Sequence, residues 1–140
     1  MEQDLNRFIK AQETSFEEAL SEIKSGRKRS HWMWYIFPQY KGLGFSEKST
    51  YYSINHLDEA KAYLNHPILG ERLKFITNEL LALNENNANN VFGRPDDLKL
   101  KSCMTLFATI DTSEENIFNA VLDKFFNGQP DIKTITLIKE

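Results

Sequence analysis

Apolar residues recur at helical spacing along most of this chain, and polar or glycine-containing breaks separate the runs. Leu5, Phe8 and Ile9 predict a short helix over Asp4–Gln12. Thr14 and Ser15 each have a glutamate three residues on, Glu17 and Glu18, so either can cap a second helix reciprocally. The inward face of that helix is Phe16, Ala19, Leu20 and Ile23, at i, i+3, i+4 and i+7. Lys24 suits the negative end of its dipole, and Gly26 is placed to close it.

The stretch His31-Trp32-Met33-Trp34-Tyr35-Ile36-Phe37 has no clean period, and a buried strand and a buried helical turn both fit it. Pro38 pushes Phe37 towards an extended conformation and ends regular structure. Lys41–Thr50 reads as a loop, with Gly42 and Gly44 giving backbone freedom. Asn55 is placed to cap a helix bearing Leu57, Ala60, Tyr63 and Leu64, with Asp58 and Glu59 in its positive first turn. Pro67 suits the first position of the next helix, which runs to about Leu83 with Leu69, Leu73, Ile76 and Leu80 along one side. Asn84–Asn90 is too polar for a core element and reads as a surface turn.

Gly93-Arg94-Pro95-Asp96 is a second irregular joint, and Asp96 is placed as an N-cap. The helix after it carries Leu100, Cys103, Met104 and Phe107 on one face. Thr112 and Glu115 form a capping box for a helix with Phe118, Val121, Leu122 and Phe125, closed by Gly128. The tail Thr134–Ile138 is too short to assign. Helical patterns outnumber strand patterns throughout. The expected fold is all-α: an irregular multihelical bundle forming a single domain over residues 1–140, with one loop-rich aromatic segment at about 31–50.

Length and composition agree with that picture. At 140 residues, 41% hydrophobic and 26% charged, the chain is long enough to bury a real core. A net charge of −3 disfavours nucleic acid as a partner and makes any basic site local. One cysteine, Cys103, excludes an internal disulfide and suits a reducing compartment. No apolar run reaches the length of a membrane span, and Met1-Glu2-Gln3-Asp4 lacks the basic start of a signal peptide, so a cytoplasmic protein is expected.

Candidate chemistry gathers in residues 24–46. Arg27 and Arg29 could hold an oxyanion through paired hydrogen bonds, or could be solvated cations at a helix end. Trp32 and Trp34 could stack on a ring, or be core; a paired platform requires the segment to be extended, because in a helix the two rings diverge by roughly 200°. His31, next to these cations, is a candidate acid or base and equally a boundary histidine. Gln39, Lys41, Gly42 and Gly44 follow as candidate ligand contacts, the glycines by letting backbone approach an anion. Asp96 is the second acid–base candidate; if its helix end faces a cleft, Asp96, Lys99 and Ser102 would line one side, three residues apart. Cys103 lies on the apolar stripe and reads as core. No His, Cys or carboxylate pair has metal-site spacing, and no cofactor is implied.

The strings Gly26–Trp34, Phe37-Pro38-Gln39, Gly42-Leu43-Gly44, His66–Leu73 and Phe92-Gly93 with Asp96, Leu98 and Lys99 resemble a bacterial domain family of unknown function. Some members of that family carry the label "calpastatin". The resemblance runs from Leu5 to Asp131 and implies a small multihelical domain without an established activity. The label would imply a protease inhibitor, but such inhibitors are disordered, whereas this chain is patterned to pack. A more distant likeness is to helical NAD- and ADP-ribose-processing proteins related to a riboflavin-biosynthesis accessory domain, through a Phe-Gly-x-x-Asp joint. Two functions are therefore expected as alternatives. One is binding of an anionic, nucleotide-like small molecule, with hydrolysis or group transfer as an extension. The other is a non-enzymatic protein-interaction module using the basic and aromatic patch. A concave pocket favours the first and a flat exposed patch the second.

Overall fold

A computed structural model of the chain describes residues 4–140. Among the described residues there are nine helices and no strand. They are α1 (Asn6–Lys24), α2 (Met33–Ile36), α3 (Glu47–Tyr51), α4 (Leu57–Asn65), α5 (Leu69–Ala82), α6 (Ala88–Phe92), α7 (Asp96–Ile110), α8 (Ile117–Phe126) and α9 (Ile132–Lys139). The all-α expectation therefore holds. None of these helices is long and apolar enough to cross a membrane.

The centre of the fold is α7. Ser102 to Phe107 are buried without a break, so this helix is covered all round rather than along one stripe. It packs against α4, α6, α8 and α9, while α5 packs against α1, α4 and α8. Tyr63, Phe107 and Phe118 stack in sequence through the core, and Phe8 meets Tyr63 edge-on. Helices α4 and α5 approach closely at Gly70: a Cβ there would lie 2.0 Å from the Leu64 carbonyl oxygen, so only glycine fits.

Several boundaries differ from the sequence expectation, each for a local reason. The two short N-terminal helices are one, α1. Its polar midpoint does not cap; Gln12 donates to the Tyr63 hydroxyl and the Tyr35 carbonyl, and Ser15 accepts from the Tyr35 hydroxyl. The aromatic stretch resolves as the helical turn α2, and the expected 41–50 loop contains α3, capped by Ser46. His56, not Asn55, caps α4: its Nδ1 accepts from Glu59 N–H at 3.2 Å. Helix α5 starts at Leu69, after Pro67, where His66 Nδ1 accepts from the Ile68 and Leu69 amides. The polar 84–90 run ends in a cap, Asn87, that starts α6. Asn116, rather than Thr112, caps α8, accepting from Phe118 and Asn119 N–H at 3.1 Å each. The unassigned tail is α9, capped by Asp131, whose Oδ2 accepts from Thr134 N–H at 3.0 Å.

Candidate functional site

Three segments that are far apart in sequence meet beside α7. The chain leaving α2 is extended at Gln39–Lys41, where it is tied to Ile54: Ile54 N–H donates to the Gln39 carbonyl at 2.8 Å, and Lys41 N–H to the Ile54 carbonyl at 2.9 Å. That tie fixes the Gln39 side chain, whose Nε2 donates to Ser102 Oγ on α7 at 2.9 Å. The following loop is clamped at both ends. Gly44 lies so close to Ser49 on α3 that a Cβ would be 2.6 Å from the Ser49 Cβ, and Gly42, at φ +97°, packs on Leu137 of α9.

The result is a cleft of about 310 Å3 between this loop, the first turns of α7 and the start of α9. Gln39, Leu43 and Gly44 line one wall. Pro95, Leu98, Lys99 and Ser102 line the second, and Asp131 with Lys133 the third. Ser102 is almost fully buried at its base. A second cavity, about 280 Å3, opens elsewhere between α4, α5 and the end of α7, with Lys61, Lys74 and Asp111 among its lining residues. The first combines apolar walls with a few convergent polar groups, as ligand sites do.

Electrostatics at the cleft are organised by Asp96. Its Oδ2 pairs with Lys28 Nζ at 2.9 Å and its Oδ1 with Lys99 Nζ at 3.5 Å, so one carboxylate is shared by two ammonium groups. Lys99 Nζ also lies 5.5 Å from the Trp34 ring centroid, and Lys48 Nζ 4.9 Å from it. The indole thus holds two cations by their attraction to its π face. Lys28 is positioned by the 25–32 loop, which is itself held by Glu22 on α1. Glu22 Oε1 accepts from Arg29 N–H at 2.7 Å, Ser30 N–H at 2.9 Å and Trp32 Nε1–H at 3.0 Å, and Oε2 accepts from the Ser30 hydroxyl at 2.6 Å. Burial pushes this carboxyl up, but those four hydrogen bonds, led by Ser30, outweigh it and hold it down at about 2.

Four of the residues singled out from sequence meet at the cleft: Gln39, Gly44, Lys99 and Ser102. Trp34 is half-buried and reaches it through Lys99. Trp32 needs correction: it is fully buried against Phe37 and Phe92 and has no face to offer a ligand. The paired-tryptophan platform is excluded with it, since α2 is helical at Trp34. Arg27, Arg29, His31 and Lys41 are exposed, and neither they nor Gly42 line the cleft. Asp96 does not cap α7. Pro95 holds the cap position, and the Asp96 carboxylate is engaged with the two lysines. Neither member of the expected His31–Asp96 acid–base pair lines the cleft. Sequence reasoning missed Lys28, Glu22, Asp131 and Lys133. Only Asp131 carried a local signal, as an Asp three residues before Thr134 in a capping pattern. Among the described residues no group of His, Cys, Asp and Glu is gathered to hold a metal ion.

The fold is an all-α protein with a polar, lysine-bearing cleft beside its central helix. The chain belongs to the family described as Protein of unknown function (DUF1810), whose model matches residues 2–138. It is similar to the crystal structure of the conserved hypothetical protein Rv1873 from Mycobacterium tuberculosis, with 42% identity and a TM-score of 0.94 over 98% of this chain and 97% of that one. Among curated proteins none is a significant match.

Proposed function

We propose that the cleft between the 39–44 segment, α7 and the start of α9 binds a small anionic, nucleotide-like molecule. The observation that carries this reading is the convergence of Lys99 and Lys133 on a concave site whose polar floor, Gln39 and Ser102, is already ordered by a 2.9 Å hydrogen bond. Lys133, with Lys99 shared between the cleft and Asp96, suits an anionic group such as a phosphate monoester, because charge-assisted hydrogen bonds are about twice as strong as neutral ones. Asp131 Oδ2 is taken by Thr134, which leaves Oδ1 to accept from a ligand hydroxyl. A cleft of about 310 Å3 is at the lower end of small-molecule sites, so a mononucleotide fits it better than a dinucleotide.

The same geometry supports binding rather than group transfer. Ser102 Oγ accepts a hydrogen bond from the Gln39 amide, and among the described residues no side-chain base accepts a hydrogen bond from its hydroxyl. The interaction-module alternative loses Trp32 and Phe37 from its patch, because both are fully buried. Lys99→Ala and Lys133→Ala tested by calorimetric titration with AMP should each weaken binding by about tenfold or more, the loss of a charge-assisted contact. Wild-type protein that binds no AMP, or wild-type affinity retained in both variants, would remove the reading.

A further inference from the structure

Lys99 stands at a boundary. Its side chain lines the cleft, whereas Asp96, three residues earlier on α7, does not. Lys99 Nζ is 3.5 Å from Asp96 Oδ1, well beyond the length of a charge-assisted hydrogen bond, and its other partner is the face of Trp34. Lys28 is held far more firmly. Its Nζ pairs with Asp96 Oδ2 at 2.9 Å, donates to the Ser30 carbonyl and lies 5.0 Å from the Trp32 ring centroid. Its backbone N–H donates to the Val91 carbonyl at 2.7 Å, and Glu22 anchors the residues that follow it. The Lys28 side chain is 8% exposed against 24% for Lys99. One carboxylate therefore has a fixed cation on one oxygen and a loosely held cation on the other.

We infer that Asp96 and the ligand's anion compete for Lys99, with Lys28 keeping the carboxylate paired when Lys99 turns to the ligand. This rests on the proposed anion site and adds how that site is regulated. The exchange needs a weak pair to break, and a part-exposed i,i+3 pair contributes little to stability. It also needs Asp96 to stay satisfied afterwards. Lys28 remains within 2.9 Å, and the carboxylate sits in the first turn of α7, where the helix dipole favours negative charge. Without Lys28, departure of Lys99 would leave an unpaired carboxylate beside the incoming anion, and the two like charges would repel. A neutral ligand offers Lys99 nothing in exchange for Asp96, so the same contact restricts the site to anions.

Calorimetric titration with AMP tests the competition through a set of variants. Asp96→Asn removes the competitor and should tighten binding about threefold, the worth of one part-exposed ion pair. Lys28→Met keeps an apolar stem against Trp32 but leaves Asp96 to Lys99 alone, so binding should weaken by a similar factor. Lys28→Met/Asp96→Asn removes both charges together and strands neither, which keeps the test open should Asp96→Asn alone fail to fold. This double variant should bind AMP more tightly than the wild type; a purely structural role for Lys28 would not be rescued in this way. In Lys99→Ala, adding Asp96→Asn should change nothing, because no cation is left to compete for. AMP binding by the wild type with equal or weaker affinity in the double variant, or an Asp96→Asn gain that survives in Lys99→Ala, overturns the competition and leaves the anion site standing. No AMP binding by the wild type or any variant overturns both.

Discussion

Replacing Glu22 with glutamine tests how the loop behind the cleft is held. The carboxylate accepts four hydrogen bonds, three from the consecutive loop residues Arg29 and Ser30 and one from the Trp32 indole, at 2.6–3.0 Å. In Glu22→Gln the amide oxygen can keep the three contacts at Oε1, but all four lose charge assistance. Charge-assisted bonds contribute roughly twice as much as neutral ones, so the variant should lose about 1–2 kcal/mol at neutral pH, after allowing for solvent that reaches the carboxylate. The pH dependence has a definite sign. The folded-state carboxyl titrates at about 2 against an ordinary value of 4.5, so its contribution is complete above 4.5 and is lost as pH falls towards 2. Urea unfolding of both proteins from pH 7 to pH 2 should show a gap that is constant above pH 5 and closes between 4.5 and 2, with unchanged m-values. A gap that persists at pH 2, or none at pH 7, would refute the assignment of Glu22 as the loop's anchor.

Thr77 on α5 is fully buried, and its hydroxyl oxygen has no hydrogen-bond partner. Thr77→Val keeps the shape and removes the unpaired group, so it should stabilise the protein by about 1 kcal/mol in urea unfolding; a loss of similar size would show that the hydroxyl is satisfied in solution. Cys103 is fully buried, and burial pushes its thiol well above the ordinary range. Iodoacetamide at pH 8 should therefore alkylate it only in urea, and rapid labelling of the native protein would contradict a core role. Cys103→Ser places a hydroxyl in that core and should cost about 1–3 kcal/mol, measured in the same unfolding assay.

Helix existence was legible in the sequence because apolar periodicity reports burial on one face, as α1, α4, α5 and α8 show; α7 carries the same spacing but is buried all round. What misled was capping chemistry. Ser15 and Asn55 look like caps locally, but Ser15 accepts from the distant Tyr35 hydroxyl, and the Asn55 N–H donates to Glu59 in the first turn of α4. Part of the cleft was legible too: the three-residue spacing of Lys99 and Ser102 put both on one side of α7, and the Gly42–Gly44 pair marked a close backbone approach. Lys28, Glu22, Asp131 and Lys133 could not be found that way, since their roles follow from tertiary contacts that bring the 25–32 loop to Asp96 and α9 to α7. Trp32 misled for the opposite reason. Its cationic neighbours suggested a ligand, yet the nearest of them, Lys28, lies 5.0 Å from the indole centroid while pairing with Asp96.

The central claim is that the cleft beside α7, not the exposed 27–31 arginine loop, takes the anion. Two-dimensional amide NMR during titration with AMP tests it most directly. The account predicts saturable shifts in the Gln39 side-chain amide and in the backbone amides of Gly44, Lys99, Ser102 and Lys133, which in Lys99→Ala need about tenfold more AMP or more to saturate. Shifts centred on Arg27, Arg29 and His31 that persist in Lys99→Ala would contradict it.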